Sequence, residues 1–359
     1  MPERQQPHLP PFLSSWRINL PKLSIQVLNW WQILGGRLPI GYFNGTPSNV
    51  GAYGVELNLI WTNYGVDGAV RFVNEIAANH MLAVVELIKT TPWDRQEVAD
   101  KVNSLKDNPA VLAWFLFDEP SSKRGLPPQD AIDAYKFVKE LDASRPIALS
   151  FVPGDPQALD YAPAMDIFMS HKYPIISGQV QFSSPELQNF YDSWLDNCKF
   201  IVNQTGKTFW AILQAHQAPD DGGDAPASPS LAETRYMLYA AIQAGSQATF
   251  FYADKETDTS HTWAMMNLAP LVKEYRKHAT AFATGPLDSI DFSSQRVVAT
   301  VFRDSAEPGD KLIVLIVHHD FGSVQIDFKL SMGPLHEIPL VVSLDSFDVK
   351  ILTIVLSGP

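Results

Sequence analysis

Asp118 and Glu119 follow an unbroken apolar run, Val111-Leu-Ala-Trp-Phe-Leu-Phe117, and precede Pro120. A run without polar alternation reads as a strand buried on both faces of a parallel sheet. Pro120 has no N–H to give a sheet ladder, so it marks the strand's end. Two adjacent carboxylates are thereby delivered to the C-terminal rim of a buried strand. In barrel-type α/β architectures that rim is where catalytic side chains stand. Carboxyls there can give or take protons. The plainer alternative for Glu119 is a cap on the following helix or an ion pair with Lys123 or Arg124.

Other apolar runs end in chemistry-bearing residues as well: Trp61, Glu86, the His171-Lys-Tyr173 stretch, Gln214-Ala-His216 and Tyr252-Ala-Asp254, with Trp93, Trp114, Trp210 and Trp263 nearby. Aromatic faces rimmed by carboxylates, amides and imidazoles suit a sugar, which offers an apolar C–H face and a ring of hydroxyls. Trp114 and Trp210 lie inside apolar runs and read as core. Glu86, Asp166 and Asp254 are candidates for a second carboxylate. Their plain alternatives are an ion pair with Lys89, a strand-start cap and a pair with Lys255. His216 and His261 are weaker binding candidates, and the adjacent His318-His319 reads as surface, since neighbours in a strand point to opposite faces. The loop Asp220-Asp-Gly-Gly-Asp224 lacks the EF-hand spacing and its terminal Glu, so it reads as solvated. No Gly-x-Ser-x-Gly, His-Glu-x-x-His or glycine-rich phosphate loop occurs. Neither a metal nor a cofactor is expected.

The elements that must position these groups alternate. Apolar runs at Pro39–Phe43, Val55–Trp61, Leu82–Ile88, Val111–Phe117, Pro146–Val152, Asp166–Tyr173, Thr208–Leu213 and Ala248–Tyr252 read as strands. Helical spacing covers Val66–Asn79, Trp93–Leu105, 128–141, Pro185–Thr205, Leu231–Ala244 and Thr262–Ala283. About eight strands over roughly 250 residues predict a (β/α)8 barrel. Only about ten residues separate the first two strands, too few for an ordinary crossover helix. Beyond Gly285-Pro286 the runs Val297–Phe302, Lys311–Val317, Val324–Leu330, Pro339–Leu344 and Val349–Val355 are strand-like and divided by turn signals. They predict a small all-β, sandwich-like domain over 286–359, after a barrel over 39–285 and an N-terminal segment over 1–38.

The bulk of the 359-residue chain fits this plan. It carries 27 Lys and Arg against 39 Asp and Glu, a formal charge of −12. So acidic a chain has no broad electrostatic footprint for nucleic acid or anionic membrane. Its single cysteine, Cys198, precludes an internal disulfide. No stretch approaches the ~18 apolar residues needed to span a bilayer. The polar, proline-rich start has no apolar stretch of signal-peptide length, so the expected place is the cytoplasm.

The stretch Trp114-Phe-Leu-Phe-Asp-Glu-Pro120 resembles the fourth strand of the (β/α)8 glycoside hydrolase superfamily that cleaves glycosides with retention. The resemblance covers about residues 39–285. It implies that Glu119 is the general acid/base. Cleavage needs a proton on the leaving oxygen, and carboxyls in apolar surroundings keep theirs to higher pH. It also implies substrate contacts from His171 and Tyr173, with Asp118, Gln214, Trp61 and Tyr252 completing a carbohydrate site. Two residues depart from the pattern. Asp118 stands where the family has Asn, and an ionised Asp can accept from a sugar hydroxyl but not donate. Gln214 ends the seventh strand, where the family carries its nucleophilic Glu; an amide cannot form the glycosyl ester in the same way. A different carboxylate, a different alignment of that strand, or a protein that binds sugar without cleaving it would each account for Gln214.

Overall fold

The computed structural model describes residues 36–61, 65–122, 125–175, 182, 185–215, 228–253, 258–304, 310–331 and 337–356. Eight parallel strands close into a barrel in chain order: β1 (Ile40–Phe43), β2 (Leu57–Ile60), β3 (Leu82–Glu86), β4 (Val111–Asp118), β5 (Ile147–Phe151), β6 (Ile167–Lys172), β7 (Thr208–Gln214) and β8 (Ala248–Tyr252). β8 pairs with β1, from Ile40 opposite Thr249 to Phe43 opposite Tyr252.

Every strand sorts its side chains two ways. Leu57, Leu59, Val84, Phe115, Ala148, Ile167, Met169, Trp210, Ile212 and Phe250 belong to a cluster built only from strands, which is the barrel's interior. Their alternates, such as Val85, Trp114, Leu149, Phe168, Ala211 and Phe251, join the larger cluster shared with the helices. Being buried on both faces is why these strands read as unbroken apolar runs. Gly41 is required by this packing, because a Cβ there would lie 2.5 Å from the Phe250 ring.

The connecting helices are α1 (Pro47–Ala52), α2 (Gly65–Ala78), α3 (Arg95–Leu105), α4 (Pro128–Leu141), α5 (Pro185–Asn189), α6 (Asp196–Thr205), α7 (Leu231–Gln243), α8 (Asp258–Trp263), α9 (Ala269–Tyr275) and α10 (Ala279–Ala283). The cramped first crossover is met by α1, which is only six residues long. Two helices expected to be continuous are not. The 185–205 helix has a π turn at Phe190–Leu195, and the last helix has one at Ala264–Leu268 and a further break before α10.

The tail forms β9 (Pro286–Phe292), β10 (Val297–Asp304), β11 (Asp310–His318), β12 (Val324–Ser331), β13 (Glu337–Leu344) and β14 (Val349–Leu356). One antiparallel sheet runs β14-β11-β10-β9 and a second pairs β12 with β13. Val297, Ala299, Leu312, Val314 and Ile316 pack with Ile326, Leu330, Val342 and Leu344 as the core between the sheets. On the other face, Phe302, Ile313, Leu315 and Val317 pack into the barrel's helical layer. The all-β tail is therefore seated on the barrel, with α7 between the two and buried along most of its length. Strand β9 went unread in the sequence because it is mostly exposed and its apolar residues are broken up by Asp288, Ser289 and Asp291.

Candidate active site

Inward parity carries a set of polar and aromatic residues to the C-terminal ends of the strands. Trp61, Tyr173 and Tyr252 pack against the interior cluster. Glu86 shares the inward parity of Val84 and is 1% exposed. On β4, the register against β5 shifts between Phe115 and Phe117 and then sets Asp118 opposite Ser150. The Ser150 hydroxyl donates to Asp118 Oδ1 at 2.6 Å, so Asp118 faces inward and is held there. Ser150 was missed in the sequence; a lone hydroxyl at an inward position of the Pro146–Val152 run is the signal that marks it.

Simple alternation would turn Glu119 outward, away from the barrel mouth. Its backbone instead adopts φ +49°, while its N–H donates to Ser150 O at 3.0 Å. The carboxylate arrives with Oε1 at 3.6 Å from His171 Nε2, both side chains partly open to solvent. Below it, Ser121 donates to Asp155, and Tyr161 donates to Leu126 O, which ties down the chain just beyond Glu119.

His171 begins an aromatic wall. Its ring stacks on Tyr173 (5.2 Å between centroids, 12°), and Tyr173 stacks on Tyr252 (5.5 Å, 19°). Tyr252 meets Phe43 edge-on at 5.1 Å, and Phe43 meets Trp61 at 5.7 Å. The wall thus runs from β6 across β8 and β1 to β2, with Glu119 at one end. Flat rings beside a carboxylate and an imidazole can bind a C–H face and move a proton.

Gln214 ends β7 with inward parity and no exposure. Its carboxamide engages one backbone unit: Ile175 N–H donates to Oε1 at 2.9 Å, and Nε2 donates to Ile175 O at 2.8 Å.

Asp166 does not belong with these residues. It precedes β6, at the opposite end of the barrel from the rim. There it accepts from Tyr135 Oη and Ile147 N–H and pairs with Lys139 at 2.8 Å. A strand-start carboxylate cannot reach the mouth, so Asp166 is removed as a second carboxylate. Asp254 and His216 lie outside the described residues. His261 Nδ1 is 2.9 Å from Tyr53 Oη. His318 and His319 are not at the surface as expected but 3% and 1% exposed, where the β sheets meet the barrel. Trp114 and Trp210 are fully buried, and Trp263 donates to Pro229 O. Trp93 packs on Phe137 under Arg95, outside the barrel. Among the described residues, no group of three or more His, Cys, Asp or Glu could hold a metal ion, and no helix is long and apolar enough to cross a membrane.

No family model and no curated protein matches the sequence. Solved structures match its fold. An α-amylase of Anoxybacillus superposes with a TM-score of 0.54 at 11% identity, over 90% of this chain and 99% of that one. An α-amylase of Geobacillus thermoleovorans complexed with acarbose gives 0.53 at 10%, over 92% and 99%. An α-L-arabinofuranosidase of Thermotoga maritima in an arabinose complex gives 0.51 at 9%, over 87% and 89%. The chain shares its barrel fold with these enzymes. The likeness covers 87–92% of this chain, more than residues 1–285 make up, so it reaches into the all-β tail. At such identities it is a likeness of fold, and the chemistry has to be argued from the site.

Proposed function

We propose that this protein acts on a β-linked carbohydrate as a glycoside hydrolase, with Glu119 as its general acid/base. The observation that carries the reading is the Glu119 carboxyl, turned into the barrel mouth against the backbone's ordinary preference and set at one end of an aromatic wall. A sugar ring laid on Tyr173 and Tyr252 would present its glycosidic oxygen to Glu119, which donates the proton that frees the leaving group. His171, beside Oε1, orients the carboxyl and stabilises its ionised form after the transfer when the imidazole is protonated. Asp118 accepts from a sugar hydroxyl. Glu86, on the adjacent strand, is the carboxylate proposed as base or nucleophile. The β linkage follows from the resemblance of Trp114–Pro120 to the fourth strand of retaining enzymes.

The test is hydrolysis of paired α- and β-aryl glycosides by the native protein, Glu119→Gln and Glu86→Gln. The expected result is turnover of a β-glycoside that falls at least about a hundredfold in each variant. Turnover that survives in Glu119→Gln would sink the assignment. One observation favours a second reading, in which the protein binds sugar without cleaving it: the residue that the resemblance sets at the nucleophile position is Gln214, whose amide bonds to the Ile175 backbone. That reading requires oligosaccharide binding by a native protein that turns over no glycoside in the panel.

A further inference from the structure

Gln214 is one of the two residues at which the chain departs from its resemblance, and its contacts give it a different task. β6 ends at Lys172, and Pro174 has no N–H to continue a parallel ladder with β7. Beyond that break the Gln214 carboxamide supplies the next rung from a side chain. It presents one acceptor and one donor to the two halves of a single backbone unit, Ile175 N–H and C=O, at 2.9 and 2.8 Å. Ile175 is 4% exposed, so neither half can turn to bulk water for a substitute. Two residues before it stands Tyr173, the ring that links His171 to Tyr252 in the wall. Four residues before it stands His171, whose Nε2 faces Glu119.

We infer that Gln214 is a positioning residue: its amide closes a bridge onto Ile175 that fixes the Tyr173 platform and the His171–Glu119 contact. The inference rests on the proposed sugar site for its functional consequence, but the bridge itself does not. A carboxamide fits at every pH, whereas an acid of the same size fits only while it carries a proton. A carboxylate of the same size would still accept from Ile175 N–H, but it would set a second acceptor against Ile175 O, with no proton between them. The residue that would restore the family's nucleophile therefore breaks this wall once it is ionised, the state a nucleophile needs.

The full chain carrying Gln214→Glu tests this, with Gln214→Met as a volume-keeping second variant should the buried carboxylate prevent folding. Three quantities are read. Amide exchange at Ile175 should accelerate at least tenfold, and the affinity for cellotetraose and laminaritetraose should fall about tenfold. For whichever aryl glycoside is cleaved, KM should rise more than kcat falls, with an altered pH–rate profile because His171 no longer holds its place beside Glu119. Unchanged exchange at Ile175 in Gln214→Met, which can neither donate to Ile175 O nor replace the amide oxygen, would overturn the bridge. A gain of turnover in Gln214→Glu would overturn the positioning role, since the position would then be a dormant nucleophile site. A native protein that binds neither oligosaccharide and turns over no β-aryl glycoside defeats the proposed function, while the exchange rate still decides the bridge.

Discussion

Glu119 holds a backbone φ of +49°, a conformation that costs a residue with a Cβ on the order of 1 kcal/mol. The cost is borne where the carboxyl is wanted, because a relaxed extended residue would point it out of the barrel mouth. Removing the carboxyl should therefore separate backbone from chemistry. Glu119→Gly and Glu119→Ala both lose the acid, but in urea unfolding the glycine variant should be more stable than the alanine variant by about 1 kcal/mol. Equal stabilities would mean that the turn is not strained. This strain is invisible in the sequence, where Asp118-Glu119-Pro120 announces its chemistry by residue type and by its place after a buried run. The partners of the other candidates were no more legible. Gln214 bonds to a residue 39 positions away, and an amide at a strand end carries no mark of whether it faces a ligand or a backbone. For Asp166 it was the plain alternative, a cap at the first residue of a strand, that the chain made legible. A first residue stands at the wrong end of a parallel barrel.

β4 brings Glu119 to the rim and is anchored at its foot by a knot of hydrogen bonds on Asp142, just past α4. Trp114 Nε1 and Arg145 Nη1 both donate to Asp142 Oδ2, at 2.9 and 3.0 Å, and Ser144 donates to Oδ1 from its N–H and its hydroxyl. Arg145 also reaches Val111 O and Asn108 O, at the start of β4. Burial pushes the Asp142 carboxyl up, but the hydrogen bonds from Ser144, Arg145 and Trp114 outweigh it and hold the carboxyl below its usual value. A depressed carboxylate adds stability above its unfolded value of 3.8, and that stability is lost as the pH falls below it. Asp142→Asn should therefore cost about 2 kcal/mol near neutral pH, and the gap from the native protein should narrow below about pH 4. A gap that stays constant through the acid range would remove the charge from the explanation. Strands of this kind were legible because burial on both faces leaves an unbroken apolar run. The π turns at Phe190–Leu195 and Ala264–Leu268 were not, since one extra residue in a turn leaves the apolar spacing almost intact.

At the scale of the whole molecule, the barrel and the all-β tail meet around a buried imidazole. His319 follows β11, stacks on Tyr191 with 3.5 Å between ring centroids, and has its Nδ1 3.1 Å from Tyr236 Oη. Its Nε2 has no hydrogen-bond partner among the described residues. Burial, and then the positive charges of Lys199, His318 and Arg296, push its proton affinity well below the ordinary value of 6.5. Arg296 is itself paired with Asp192 and Asp320, so those carboxylates are engaged elsewhere. The unfolded chain protonates this imidazole near pH 6.5, while the folded chain resists, so the unfolded state binds more protons below that pH. Stability is then complete above about pH 6.5 and falls with acidification by up to about 1.4 kcal/mol per pH unit. His278, also lowered chiefly by burial, acts in the same direction. Replacing His319 by Phe keeps the stack on Tyr191 and leaves the Tyr236 hydroxyl without its nitrogen, so the variant should be weaker at neutral pH by about 1–3 kcal/mol. Between pH 5 and 6.5, however, its unfolding free energy should fall less steeply than that of the native protein, with the residual slope owed to His278. Parallel slopes in urea titrations across that range would mean that the seam between barrel and tail opens to water before His319 takes its proton.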